Sequence, residues 1–284
     1  MGVLSTNKAR WQGDSTVIPT FINATITEMI NLQEMRHAGT KGGPQRLSGV
    51  KDWNGTWEEL ALVPSFWPGD EVTFYGSLNG ALGYTGEALV TGVTINIPVA
   101  TKAPPKVTGT FRGIAALDDT DDTTVAIPAA ATPPSVEGIC VQLQPIDGGA
   151  FANQAGTSDI TITLTIEDQP FHDCGSSGVM DAIEGNWDAN ISYSRYVDDP
   201  TDLPNPGDAH SVRVPIDALG TQYYQFNYMR VGDISGITFD RAAGALFLPT
   251  IPLMMSMIET VNSTVTVGAG VTKPDTTIWR PTET

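Results

Sequence analysis

Cysteine and histidine are scarce. The two cysteines, Cys140 and Cys174, are too few for a disulfide framework or a four-thiolate zinc site, and both read as free thiols or core fillers. The three histidines, His37, His172 and His210, are widely spaced, and no HExxH, GxSxG, Walker A or GxGxxG pattern occurs. His172 and Cys174 lie two apart, which on a strand puts them on one face; a buried bystander pair is the expected reading, not a nucleophile. Basic residues are also few, 15 against 32 acidic ones, for a net charge of −17. That balance excludes a protein that grips nucleic acid by neutralising phosphates. No stretch approaches the ~18 apolar residues of a membrane span, and MGVLSTNKAR lacks the apolar run of a signal peptide. The expectation is a protein kept in a cytoplasm, or packed into a particle assembled there, with no membrane partner and no cofactor.

The 284 residues are 40% hydrophobic and 17% charged, enough to bury a core and unlike a disordered chain. Gly 29 and Pro 20 make up about 17% of the chain, above the roughly 12% of average usage. With abundant Thr and Val, this favours short strands and many turns. Several short motif matches carry little. Gly2 followed by Thr6 fits a myristoylation pattern, and Asn23, Asn54, Asn190 and Asn262 head glycosylation sequons, as a chain rich in Asn and Thr produces by chance. The run from Asp118 to Asp122 lacks the Gly and the bidentate Glu of a helix-loop-helix calcium loop, and reads as a solvated acidic linker.

The informative feature is an internal repeat. In the first half, Ile22, Ala24, Ile26, Ile30 and Leu32 share one parity and Asn23, Thr25, Thr27, Asn31 and Gln33 the other, the pattern of a half-buried strand. A Gly-rich stretch, a strand carrying Trp53 and Trp57, a Pro68-Gly69-Asp70 turn, a strand from Val72 to Tyr75 and a closing strand from Ala88 to Ile97 follow. The second half repeats the order. Ile160, Ile162, Leu164 and Ile166 alternate strictly, a Gly/Ser stretch follows, then a strand around Trp187, Pro206-Gly207-Asp208, Val212 to Ile216, and a closing run from Met229 to Phe239. Trp53 to Trp187 is an offset of 134, which keeps the strand parity. The intervening residues hold the acidic run and Ala129-Ala-Ala131-Thr-Pro-Pro134, a composition that reads as linker. The chain therefore divides into a first β domain at 1–115, an acidic, Pro-rich linker at 116–137 and a second β domain at 138–284.

At these residues the sequence resembles the tail tube proteins of long-tailed (siphovirus-like) bacteriophages. The resemblance is carried by Ser48-Gly-Val-Lys-Asp-Trp53-Asn-Gly-Thr-Trp57, by Pro68-Gly-Asp70 and by Phe74-Tyr-Gly-Ser77. In the second half it is carried by Gly185-Asn-Trp-Asp188, Pro206-Gly-Asp208 and the run from Tyr228 to Arg241. The second half lacks a second Trp after Trp187, so the motif alone leaves its register open. The resemblance implies a mainly β fold of two tandem tail-tube-like barrel or sandwich domains with few short helices. Single-domain members form six-membered rings that stack into a tube, so a duplicated chain needs three subunits for a trimeric, pseudo-hexameric ring. It further implies a structural virion protein without catalysis, located in the tail and assembled in the host cytoplasm. Its partners are then copies of itself, the tail terminator, tape measure and distal tail proteins, and double-stranded DNA that passes without specific binding. An acidic lumen suits such a conduit, although a charge of −17 serves solubility equally well.

Within that reading, Trp53, Trp57 and Trp187 are assigned to domain cores, with subunit interfaces as the alternative. The loop bearing Arg36, His37, Gly39, Lys41, Gly42 and Gly43 is assigned to contact with the next ring. Two competing readings stand beside it. One is a virion decoration or host- or carbohydrate-binding protein, in which Trp67, Tyr84, Tyr223 and Tyr224 supply a sugar-stacking platform. The other is a metal-dependent hydrolase on a β scaffold, which needs ligands this sequence does not array.

Overall fold

The alternating segments form strands, and the strands run longer than the alternation itself. The computed structural model describes residues 10–14, 16–35, 45–77, 83–120, 131–146, 148–171, 181–217, 220, 222–236, 249–255 and 265–267. The first half contains β1 (Arg10–Gly13), β2 (Thr16–Val17), β3 (Phe21–Met35), β4 (Gln45–Glu59), β5 (Glu71–Ser77), β6 (Gly83–Ile97), β7 (Lys106–Gly113) and β8 (Asp118–Thr120). The second contains β9 (Gln142–Pro145), β10 (Ala152–Asn153), β11 (Thr157–Phe171), β12 (Asp181–Arg195), β13 (Ala209–Pro215), β14 (Tyr223–Val231), β15 (Thr250–Met255) and β16 (Val265–Val267). Among the described residues the only helical element is the 3-10 turn Pro200–Asp202.

The pairing scheme occurs twice. In the first half the order is β2-β1-β5-β6-β7-β4-β3, with β8 on the far side of β6. In the second it is β10-β9-β13-β14-β15-β12-β11, with β16 on β14. Every pairing is antiparallel, and the long hairpins match even in their irregularities. Register shifts fall between Phe21 and Asn23 and between Ile30 and Leu32 in β3, and between Thr157 and Asp159 and between Ile166 and Asp168 in β11. Phe21–Met35 to Thr157–Phe171 and Gln45–Glu59 to Asp181–Arg195 are both shifts of 136.

This register corrects the sequence alignment, which set Trp53 against Trp187. Trp187 lies opposite Ile166 as Lys51 lies opposite Ile30, so Trp187 is the counterpart of Lys51. The counterpart of Trp53 is Ala189 and that of Trp57 is Tyr193, and all four of these core positions are buried. The sequence alignment erred because it matched the most conspicuous side chain, whereas the fold matches backbone register.

The two halves share one sheet. On one side of β6, β5 occupies its first part and β11 takes over beyond a bulge, pairing residues 92–97 with residues 160–165 of the other half. The core is correspondingly continuous. Ile160, Ile162 and Leu164 are fully buried, and the Tyr224 hydroxyl donates to the Leu62 carbonyl at 2.7 Å, joining the halves. Both described ends of the expected linker carry structure, and residues 121–130 lie outside the described residues. Asp118–Thr120 add a strand to β6, and Val136 packs into the core beside Ile139 and Val141.

Candidate functional site

The aromatic residues singled out in the first half build its core. Trp57 is fully buried, with its ring 5.9 Å from both Phe66 and Phe74 and 6.1 Å from Phe111. Trp53 meets Phe111 edge-on at 5.8 Å and donates its indole N–H to the Ala115 carbonyl at 2.7 Å. Glycines on β7 make room for both rings: a Cβ on Gly109 would lie 2.1 Å from Trp57, and one on Gly113 would lie 2.1 Å from Trp53. Of Trp187 only its strand position is described.

Both Pro-Gly-Asp turns form the same latch. Gly69 (φ 87°) and Gly207 (φ 91°) adopt the left-handed conformation that favours glycine. The Gly69 N–H donates to Val90 O at 2.8 Å and Val90 N–H to Asp70 O at 2.9 Å; Gly207 and Asp208 repeat this with Val231 at 2.7 and 2.9 Å. The Asp70 carboxylate accepts from the Trp67 N–H at 2.7 Å, and that of Asp208 from the Asn205 N–H at 3.3 Å. Pro68, Gly69, Asp70, Pro206, Gly207 and Asp208 therefore tie the entry of β5 and β13 to the strands they pair with. This is a turn function.

One buried charge was not visible in the sequence. Glu59 at the end of β4 is 1% exposed, and its carboxylate accepts from Ser65 N–H at 2.9 Å and Ser65 Oγ at 2.6 Å. Burial pushes its pKa above the ordinary 4.5 despite these bonds, which act to lower it. A carboxyl raised in the folded state contributes stability that is full below its ordinary pKa and lost as the pH rises through the raised one. Glu59→Gln is therefore expected to flatten the fall in melting temperature as the pH rises from ~4 to ~8. Parallel melting curves for the two proteins would show that Glu59 does not titrate differently in the folded state.

The proposed sugar platform is not assembled. Trp67 is 2% exposed and Tyr224 is fully buried, and the two pack edge-on at 6.1 Å inside the core. Tyr223 is half-buried under the Arg213 guanidinium at 4.4 Å, leaving Tyr84 as the exposed member. The two hidden rings serve the packing between halves, a role that alternation in sequence does not distinguish from display. Cys140 is half-buried, and burial raises its thiol pKa, which works against a nucleophilic role. No group of three His, Cys, Asp or Glu suited to a metal occurs among the described residues. Arg36, His37, Gly39, Lys41, Gly42 and Gly43 lie outside the described residues, as do His172 and Cys174.

The features with unspent capacity are sheet edges. β3 pairs with β4 on one side, and no other strand pairs with it among the described residues. Ile22, Met29 and Ile30 on it are 45%, 42% and 47% exposed. Their counterparts on β11 are Ser158, Thr165 and Ile166: Ser158 is 1% exposed and Ile166, packed with Leu89 and Ile114, is 6% exposed, while Thr165 is exposed. The β6–β11 seam also carries an ion cluster. Arg112 on β7 donates to Asp52 on β4 at 3.0 Å and to Asp168 on β11 at 2.9 Å, bridging the halves. The sequence carried no signal for the open edge, since β3 and β11 both read as alternating strands. Only the pairing revealed that one is covered and the other bare.

The fold thus defines a mainly β protein made of one twice-repeated antiparallel unit with open strand edges. No family model matches the chain, and no curated protein matches it by sequence. Among solved structures, a chain from the virion of a native gene transfer agent (GTA) particle is similar to it with a TM-score of 0.34 and 12% identity. That similarity covers 42% of this chain and 99% of the other.

Proposed function

We propose that this chain is a structural subunit of a phage-like particle that polymerises with itself into a tail tube for double-stranded DNA. The observation that carries the reading is the eight-strand unit written twice in one sheet, with one repeat's hairpin edge covered by the other half and its counterpart left bare. Unpaired edges with apolar side chains are a liability in a monomer and a joint in a polymer. Three chains supply six such units, the number that a pseudo-hexameric ring needs. Head-to-tail stacking of rings does not close and so makes a filament. A net charge of −17 keeps DNA from adhering to the wall, because there is little cationic surface to release its counterions. In this reading the chain has no catalytic role. It resides in the virion tail after assembly in the host cytoplasm, and it meets tail terminator, tape measure and distal tail proteins at its ends and in its lumen.

The test is negative-stain electron microscopy of the purified protein, concentrated and incubated, with averaging of end-on views. Hollow rings or tubes with threefold symmetry and six similar lobes are expected. A fixed small oligomer without a channel, at every concentration and also in the presence of a tail-tip extract, would overturn the reading.

A further inference from the structure

The internal seam is a template for a joint between copies. Counterparts follow from the shared pairing. Asn54 and Asn190 face Arg112 and Met254 across β4–β7 and β12–β15, so Met254 holds the position of Arg112. Val90 and Val231 make the same two bonds to the Pro-Gly-Asp turn, a shift of 141. The shift persists beyond the strand end: Ser235 bridges Thr250 as Thr94 pairs with Thr108. Residues 233–236 therefore stand where residues 92–95 of β6 stand. Those residues of β6 have β7 on one side and β11 on the other. Residues 233–236 have β15 on one side, through Ser235, and no strand on the other among the described residues. Asp233, Ser235 and Gly236 are exposed.

We infer that β3 of one copy pairs antiparallel with residues 233–236 of a second copy, in the register of the internal β11–β6 seam, so that Thr27 faces Ser235 as Thr163 faces Thr94. The inference rests on the reading that copies of this chain associate. The occupant is a second copy because the chain already contains both halves of the joint, one used internally and one bare. Sheet continuation satisfies backbone groups on both edges and brings the next copy up to the exposed Ile30, whose counterpart Ile166 is covered. The joint is heterologous, β3 meeting a different segment, so each copy keeps one edge of each kind and the association propagates.

The two seams differ in chemistry. Inside the chain the Arg112–Asp168 ion pair crosses the seam. Between copies the position of Arg112 is held by Met254, 48% exposed, so no cation stands there to repeat the bridge. Glu28 stands where Leu164 stands inside and puts a charge in the paired stretch of β3. Covering it carries a desolvation cost, which leaves the joint between copies weaker than the internal seam.

The test uses full-length protein with Cys140 and Cys174 changed to Ser. One preparation carries Thr27→Cys, the other Ser235→Cys, and the two are mixed under assembly conditions and oxidised. Thr94→Cys with Thr163→Cys in one chain is the positive control for geometry. Asn23→Cys mixed with Ser235→Cys, four residues or ~13 Å out of register, is the negative one. A disulfide-linked dimer containing one chain of each kind is expected, at ten-fold or greater yield over the out-of-register pair. Tubes without that link would overturn the joint and leave the tube reading standing. The link in discrete rings that never stack would support the joint and remove the tube. Neither link nor assembly, with the positive control closed, would overturn both.

Discussion

Replacing Trp57 by alanine is expected to destabilise the fold by ~3–5 kcal/mol, the largest single effect anticipated here. The ring is fully exposed to other side chains and not at all to water. It is wedged between Phe66, Phe74 and Phe111, and its far edge lies over Gly109, the residue paired with it on β7. Removing it opens a cavity that β4 and β7 cannot close without breaking their register. The cavity also strips the Glu59 carboxylate of an indole neighbour at 3.4 Å, close to a charge that burial already disfavours. Trp57→Phe is expected to recover more than half of the loss, because it refills most of the volume. Urea denaturation of the three proteins checks this. A loss below ~1 kcal/mol for the alanine variant would mean that the aromatic cluster can repack around the gap.

Arg112→Met is expected to loosen the seam between halves. Arg112 lies against two carboxylates from different strands, and the side chains of Arg112, Asp52 and Asp168 are 27%, 21% and 20% exposed. Losing the cation leaves Asp52 and Asp168 half-buried beside one another without a counter-charge. Hydrogen bonds to charged groups contribute ~1.5–3 kcal/mol, and partial exposure holds the expected cost to about 2 kcal/mol. Adding Asp168→Asn is expected to return part of it, since it removes one of the two facing charges. The four proteins of this cycle, melted in urea at matched ionic strength, measure coupling between residues that belong to different repeats. Additive losses would show that the ion cluster does not couple the halves. Met254 occupies the equivalent place in the second repeat, so the chain itself demonstrates that a methionine is compatible with the local backbone.

The sequence, read alone, determined the class of structure. Alternation in β3 and β11 is a property of the side chains, and a pleated strand is the local geometry that sorts such a pattern onto two faces. Pro-Gly-Asp likewise dictates its turn, because glycine at positive φ and an aspartate that accepts a backbone N–H act within four residues. The order of these local signals also made the repeat legible. What it misplaced was the register, pairing Trp53 with Trp187, because register is fixed by hydrogen bonds across strands and not by likeness along them.

Tertiary structure decided everything that depends on which edge meets which. Trp67 and Tyr224 look available in sequence and are buried, since residues distant along the chain close over them. Glu59 and Arg112 look like surface charges and are instead a buried carboxyl and a bridge between repeats. β3 and β11 read as equals, yet β11 pairs with β6 and β3 has no second partner strand among the described residues. A strand's two faces follow from its own side chains, whereas its two edges are identical backbone in every sequence. Only the folded chain, by using one edge and leaving the other, distinguishes a covered strand from one left unpaired among the described residues.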